Sequence, residues 1–320
     1  MSTPSTTSSR PAPASPPSSG GGLPSRLWSW LGTMVRPLLW LNLAVEIGIV
    51  LTGGLVRLTA SGLGCPRWPE CHEGSITPVV TPADGWHPYI EFGNRTLTGL
   101  VGIVALLTVL AVIGRGGRRQ SRILPWTWIV LAGVVVQAVL GGITVLTSLH
   151  PVTVSAHLLV SMVLISAAAA ALWFDRDVDE VTPEPLPRPV NVVAFLTAGL
   201  GFVVMLLGTF VTGSGPHSGD ADEPARYGFD VKTMSWLHAD SVMLFCGLLA
   251  AMLLALHLLP QVSQRTRRVW WALLGVTVLQ GLIGYVQYAL AVPATLVWLH
   301  MLGASLMAWI LTWAVLSVRR

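Results

Sequence analysis

The chain has 320 residues, of which 52% are hydrophobic and only 11% charged, with 14 Trp, a formal net charge of +4 and a mean hydropathy of +0.66. Several apolar runs exceed the roughly 18 residues that cross a bilayer, which excludes a soluble globular fold and predicts an all-α integral membrane protein. The positive charge is no nucleic-acid signature, because the basic residues sit in short loops beside the apolar runs rather than along one face.

Residues 1–25 are rich in Pro, Ser, Thr and Gly and cannot build a core, so a disordered arm is expected over 1–36. The arm does not read as a secretory signal, since the first apolar run starts near Pro37 and is long enough to span. Eight transmembrane helices are predicted, at 37–58, 89–113, 124–146, 151–174, 190–211, 233–259, 269–290 and 293–318. The first loop, 59–88, carries the turn formers Pro66, Pro69, Pro78 and Pro82 and two of the three cysteines, Cys65 and Cys71, with five residues between them. Such a pair facing an oxidising compartment suits a disulfide; two free or metal-binding thiols are the alternative. Cys246, inside an apolar helix, reads as a small packing residue.

Orientation follows from the short loops. Arg26 and Arg36, Arg115, Arg118, Arg119 and Arg122, then Arg265, Arg267 and Arg268, and finally Arg319 and Arg320 all fall on one side of an eight-helix protein. That side is expected to be the cytoplasm, with both termini there and the cysteine loop and the loop 212–232 outside. The linker 175–189 lies on the cytoplasmic side although it is acidic, an exception of little weight in this rule.

The stretch beginning Gln137-Ala-Val-Leu-Gly-Gly-Ile leads to His157, and the stretch beginning Gln280-Gly-Leu-Ile-Gly-Tyr-Val leads to His300. In both, 20 residues separate Gln from His, and the copies are offset by 143. The chain therefore reads as two parallel repeats, four-helix bundles at 37–174 and 190–320, related by an axis along the membrane normal.

Every even-numbered helix runs inward and carries its informative residues in its first two turns: Glu91, Asn94 and Arg95, then His157, then His238 and Asp240, then His300. Ionisable groups inside a membrane by default suggest a site. At 1.5 Å per residue His238 and His300 lie at one depth, roughly 7 to 10 Å below the outer surface. Two facing imidazoles at equal depth in a four-helix unit are what a bis-His haem requires. Gly275, Gly281, Gly284 and Gly303 leave backbone room for a macrocycle, or merely for close helix packing. Zinc is disfavoured, because no carboxylate or thiolate cluster sits at ligand spacing on these helices.

In the first half His238 aligns with Asn94 or Arg95, so only His157 remains as an imidazole ligand. One histidine, a carboxylate and an arginine suit a substrate site better than a permanent haem site. Glu91 and Asn94 share a helix face, so the carboxylate is expected to address the same ligand and to move protons; the alternative is an interfacial pair of Glu91 with Arg95. Glu46, mid-span, reads as a neutral hydrogen-bonded acid or a proton path. Arg57 either snorkels or pairs with a propionate. His72, His87, His150 and His217 are expected to be solvated, and His257 to favour a helix C-terminus.

The run Gly53-Gly54-Leu55-Val56-Arg57-Leu58-Thr59-Ala60-Ser61-Gly62-Leu63-Gly64-Cys65-Pro66-Arg67-Trp68-Pro69-Glu70-Cys71-His72, followed by Ile90-Glu91-Phe92-Gly93-Asn94-Arg95, resembles the signature of heme A synthases, and the likeness extends over about residues 37–318. The resemblance implies oxidation of a ring methyl of haem O to a formyl group, giving haem A for haem-copper oxidases. It implies a resident haem b on His238 and His300, substrate haem O on His157, Glu91 as the catalytic carboxylate, and a Cys65–Cys71 disulfide. It also implies dependence on the prenyltransferase that makes haem O and a place in cytochrome oxidase assembly; the oligomeric state stays open. Two departures stand out: Asn94 occupies the position of a usual His, and the loop 212–232 lacks the second cysteine pair of some relatives. The ligand opposite His157 thus stays open among a water held by Asn94, His72 and His87. A b-type cytochrome carrying electrons from quinol, and a transporter, are the competing readings of the whole chain.

Overall fold

The computed structural model describes residues 28, 30–78, 85–175, 186–220 and 222–319. Most of the expected disordered arm, most of the linker, Pro82, Arg26 and Arg320 lie outside the described residues. The architecture is all-helical: α1 (Val35–Leu58), α2 (His87–Arg115), α3 (Gly117–Leu146), α4 (Pro151–Phe174), α5 (Arg188–Ser214), α6 (Val231–Leu258), α7 (Gln264–Ala289) and α8 (Ala294–Val318). All eight are long and apolar enough to cross a membrane, and the chain is a multi-pass membrane protein. The largest difference from the expected boundaries is at α3, which begins at Gly117 and runs through Pro125. Hydropathy stops at the basic turn 118–122, but the helix continues because Arg122 lays its guanidinium over the Phe174 ring at 5.3 Å.

Two helix starts are fixed by short polar side chains. Asp230 caps α6, accepting from the Thr233 backbone N–H (2.7 Å) and hydroxyl (2.8 Å), and these bonds hold its carboxyl below the usual carboxylate range. Ser263 caps α7 through the Thr266 N–H at 3.0 Å.

Among the described residues, α1, α2, α3 and α4 each pack on the next and α4 returns to α1, closing a ring of four; α5, α6, α7 and α8 close a second ring in the same order. Helices diagonal to each other, α2 with α4 and α6 with α8, do not pack together. Leu39, Leu43, Val130 and Ile165 are buried in the core of the first ring, and Phe245, Leu249, Met252 and Trp270 in that of the second.

The rings meet along α8, which lies against α4 and α1. Trp298 of α8 donates its indole N–H to the Leu51 carbonyl of α1 at 3.0 Å, and Trp313 donates to the Ala169 carbonyl of α4 at 2.8 Å. An indole in an apolar environment needs such an acceptor. The buried run Ala167–Ala171 lets the α4 backbone come within reach. At the end of the bundle bearing Arg115, that arginine pairs with Asp175, so the first acid of the linker is bound to the basic rim.

At the other end Cys65 and Cys71 are joined and fully buried. Their loop is pressed onto the start of α2 at Gly64, where a Cβ would lie 2.6 Å from the His87 carbonyl group and 2.7 Å from the Pro88 nitrogen. These are backbone atoms and cannot turn aside. Gly64→Ala is therefore expected to lift the loop, costing about 1–3 kcal/mol; a lowered unfolding temperature in detergent, with faster reduction of the Cys65–Cys71 bond, is the measurable result, and an unchanged midpoint would contradict the contact.

Candidate functional site

Each ring places one imidazole-bearing helix across from its diagonal partner. In the second ring, His238 of α6 and His300 of α8 face each other with ring centroids 6.4 Å apart and planes at 71°. Each ring is seated against a glycine of a neighbouring helix. The His238 Cε1 lies 3.2 Å from the position of a Cβ at Gly208 on α5, and the His300 Cε1 lies 3.7 Å from that of Gly284 on α7. His238 Nδ1 is 3.0 Å from the Val204 carbonyl, one turn from Gly208, which makes Nδ1 the donor and leaves Nε2 with its lone pair.

The first ring repeats this arrangement with one exchange. The His157 Cε1 meets Gly141 of α3 at 3.5 Å, as His300 meets Gly284. On the facing side Gly53 of α1 approaches the Asn94 Nδ2 at 3.9 Å, as Gly208 approaches His238. Asn94, not Arg95, is therefore the counterpart of His238. Its Oδ1 accepts from the Thr52 hydroxyl at 2.8 Å, so the amide is tied to α1.

Glu91 and Asn94 do not converge on one target. Glu91 is 5% exposed and both carboxylate oxygens are engaged: Oε2 accepts from the Cys65 N–H at 2.7 Å, and Oε1 accepts from Arg95 Nη2 at 2.6 Å and Nε at 3.1 Å. Arg95 also donates to the carbonyls of Cys65 (2.7 Å), Arg67 (2.9 Å) and Glu70 (3.2 Å). Positions i+3 and i+4 both lie on the Glu91 face; the arginine wins because the disulfide loop supplies carbonyls on its far side. The same loop sends Trp68 onto α3, where a Cβ at Gly142 would fall within the indole. Trp68 thus sits one residue from the glycine that seats His157.

Other side chains depart from the expectation of solvation. His72 Nε2 is buried without a partner, whereas His87 is exposed and its Nδ1 is 2.8 Å from the Ser61 hydroxyl. His217 Nε2 is 2.9 Å from the Val292 carbonyl. Arg57 is engaged within the protein: its Nε donates to the His217 carbonyl (2.6 Å) and its Nη2 to that of Thr212 (2.9 Å), tying α1 to the end of α5 and the connection that follows it. Glu46 is 3% exposed, and its Oε1 has no partner. His257 contacts its own helix, with Nδ1 2.8 Å from the Leu253 carbonyl. Asp240 is exposed on α6. Gly303 serves a helix contact rather than a macrocycle, since a Cβ there would collide with the Gln280 amide of α7.

The second ring fits an iron porphyrin. Two bonds of roughly 2 Å from one metal to facing imidazole nitrogens place ring centroids about 6 Å apart, close to the observed separation, and rotation about the shared axis leaves the interplanar angle free. His300 Nδ1 and His157 Nδ1 are both buried without partners, so each ring has a protein-facing nitrogen distinct from the one available for a metal. Gly284 was expected to leave room for a macrocycle, whereas Gly141, Gly208 and the two glutamines escaped sequence reasoning as functional parts.

A family model described as Cytochrome oxidase assembly protein, COX15-CtaA, matches residues 36–217. The chain is 35% identical over 142 residues to the heme A synthase of Lysinibacillus sphaericus (strain C3-41), covering 43% of this chain and 44% of that protein. It is 28% identical over 210 residues to the heme A synthase of Rhodopseudomonas palustris (strain TIE-1), covering 55% of each. To that of Methylorubrum extorquens (strain PA1) it is 29% identical over 213 residues, covering 56% of this chain and 54% of that protein. The chain spans about half the length of the curated relatives it matches.

Removing the Arg95 charge leaves the Glu91 carboxylate buried beneath the loop without its partner. Arg95→Gln is expected to cost on the order of 3 kcal/mol, and hydrogen exchange should quicken specifically at the backbone of residues 65–71; exchange at those amides equal to wild type would show that the loop does not depend on this pair.

Proposed function

The chain belongs to the COX15-CtaA family of cytochrome oxidase assembly proteins, and from that membership we propose that it is a heme A synthase, a membrane oxidoreductase converting haem O to haem A. The observation that carries this reading is the facing pair His238 and His300, whose diagonal helices are held apart, beside a second ring of the same plan in which Asn94 replaces one imidazole.

His238 and His300 would hold a resident haem b, the donors being neutral nitrogens on helices that neither pack together nor bring other ligands. Bound there, that group supplies a one-electron acceptor for the oxidation of the substrate. His157 would bind the iron of substrate haem O in the first ring. With Asn94 tethered to Thr52, the position opposite His157 has an amide in place of a strong ligand, which suits a molecule that must enter and leave. The disulfide loop, pinned by Arg95 and by Trp68 on α3, covers this ring and limits water. Glu91 would accept the protons released as the ring methyl is oxidised. Arg95 pairs with it, and the Cys65 N–H fixes it under the loop.

The end bearing Arg115, Arg118, Arg265, Arg267, Arg268 and Arg319 would face the cytoplasm of a cell membrane, with the Cys65–Cys71 loop outside, where a disulfide persists. The two rings would be parallel repeats, since each has an even number of spans. A prenyltransferase that makes haem O would act upstream, and cytochrome oxidase assembly downstream.

Extraction and chromatography of haems from cells with and without the protein test the activity directly: haem A should appear only with it, at the expense of haem O. In purified protein, His238→Ala and His300→Ala are each expected to abolish a low-spin b-type spectrum. His157→Ala and Glu91→Ala should keep that spectrum while haem A formation falls at least tenfold. A spectrum indifferent to His238 would remove the resident haem, and haem A made by Glu91→Ala would remove the carboxylate from catalysis.

A further inference from the structure

The same unsatisfied pair of atoms occurs in both rings. Gln280 donates from Nε2 to the main-chain carbonyl of His300 at 2.9 Å, and Gln137 donates to that of His157, also at 2.9 Å. Each glutamine's Oε1 is buried without a partner, and so is each histidine's Nδ1. The amide oxygen only accepts, and Nδ1 donates in the tautomer that keeps Nε2 for a metal. A buried polar atom left unpaired is costly, so a donor and an acceptor orphaned on the same two residues, twice at an offset of 143, ask for a common explanation.

Neighbouring residues are fitted to this pair. One turn along from each glutamine lies the glycine that seats the imidazole, Gly284 at 3.7 Å and Gly141 at 3.5 Å from Cε1, the ring carbon bonded to Nδ1. Gly303, three residues beyond His300, leaves the volume that the Gln280 amide fills. His238 has no such glutamine because the Val204 carbonyl already takes its Nδ1.

We propose that Gln280 and Gln137 are positioning residues: while Nε2 grips the helix carbonyl, Oε1 accepts the Nδ1–H of His300 and of His157 in the haem-loaded protein, fixing the tautomer and setting ligand strength. This rests on the haem reading above. An acceptor on Nδ1–H pushes electron density toward the metal-bound nitrogen and favours oxidised iron. The glutamine therefore tunes the reduction potential as well as the orientation of the ring.

The test is a redox titration of the b-type spectrum in purified full-length protein at alkaline pH. Gln280→Leu, which removes the acceptor, is expected to raise the midpoint potential, and Gln280→Glu, a stronger acceptor once ionised, to lower it; Gln137→Leu should leave it in place. Should the leucine variant fail to accumulate, Gln280→Met supplies an apolar chain of similar length. A purely structural glutamine would shift both variants the same way or neither, and either result overturns the inference. A wild-type spectrum that survives His300→Ala overturns the haem reading and this inference with it, whereas loss of the spectrum in His300→Ala beside unchanged potentials in both Gln280 variants overturns this inference alone.

Discussion

An imidazole inside a bilayer has no water to satisfy it, so protein groups must supply every contact that fixes its depth, rotation and tautomer. In this chain the adjacent helix supplies the seat of the ring each time. A glycine admits the ring edge, and a carbonyl or amide one turn away holds either the ring or the main chain behind it. His238 with Gly208 and Val204, His300 with Gly284 and Gln280, and His157 with Gly141 and Gln137 are three versions of one solution. The ring of four helices follows from it. Diagonal helices that do not pack leave room between α6 and α8 and between α2 and α4.

The number of spans and the facing of His238 and His300 were legible in the sequence, because they depend on hydropathy windows and on position within a helix. The 143-residue offset holds from Gln137 to Gln280, from Gly141 to Gly284 and from His157 to His300, since the α3–α4 and α7–α8 connections match in length. It fails across the first helices. Gly53 and Gly208 occupy equivalent places but differ by 155, because the disulfide loop makes the first outer connection longer. A separate shift of one residue lies between α2 and α3: the strict offset would pair His238 with Arg95, whereas its counterpart by glycine seat is Asn94, at an offset of 144.

What stayed illegible was set by contacts between distant segments. Glu91 has Asn94 at i+3 and Arg95 at i+4, and nothing local ranks them. The carbonyls of Cys65, Arg67 and Glu70 do, by giving the arginine partners on its far side. Arg57 gave no hint that it would bridge to Thr212 and His217, more than 150 residues away. Gly303 looked like room for a cofactor and is occupied by an amide. The acidic linker looked like an exception to the charge rule, yet Asp175 is bound by Arg115 at the same rim.

The two rings differ at one matching position in the helices that face each other. At the α6 position a histidine is turned by the Val204 carbonyl so that its other nitrogen faces α8. At the matching α2 position an asparagine is turned by the Thr52 hydroxyl, and its amide offers no comparably strong nitrogen donor to iron. A site closed by two imidazoles retains its ligand; a site closed by one imidazole and an amide binds more weakly and leaves one face for exchange. The disulfide loop completes this asymmetry. It lies over the first ring, held by a buried ion pair and by Trp68 against α3, whereas the second ring's outer loop is short and anchored through Arg57 of the first. On the proposed reading, the ring with two imidazoles would keep its cofactor without a cover, and the loop would close over the ring that admits and releases a substrate.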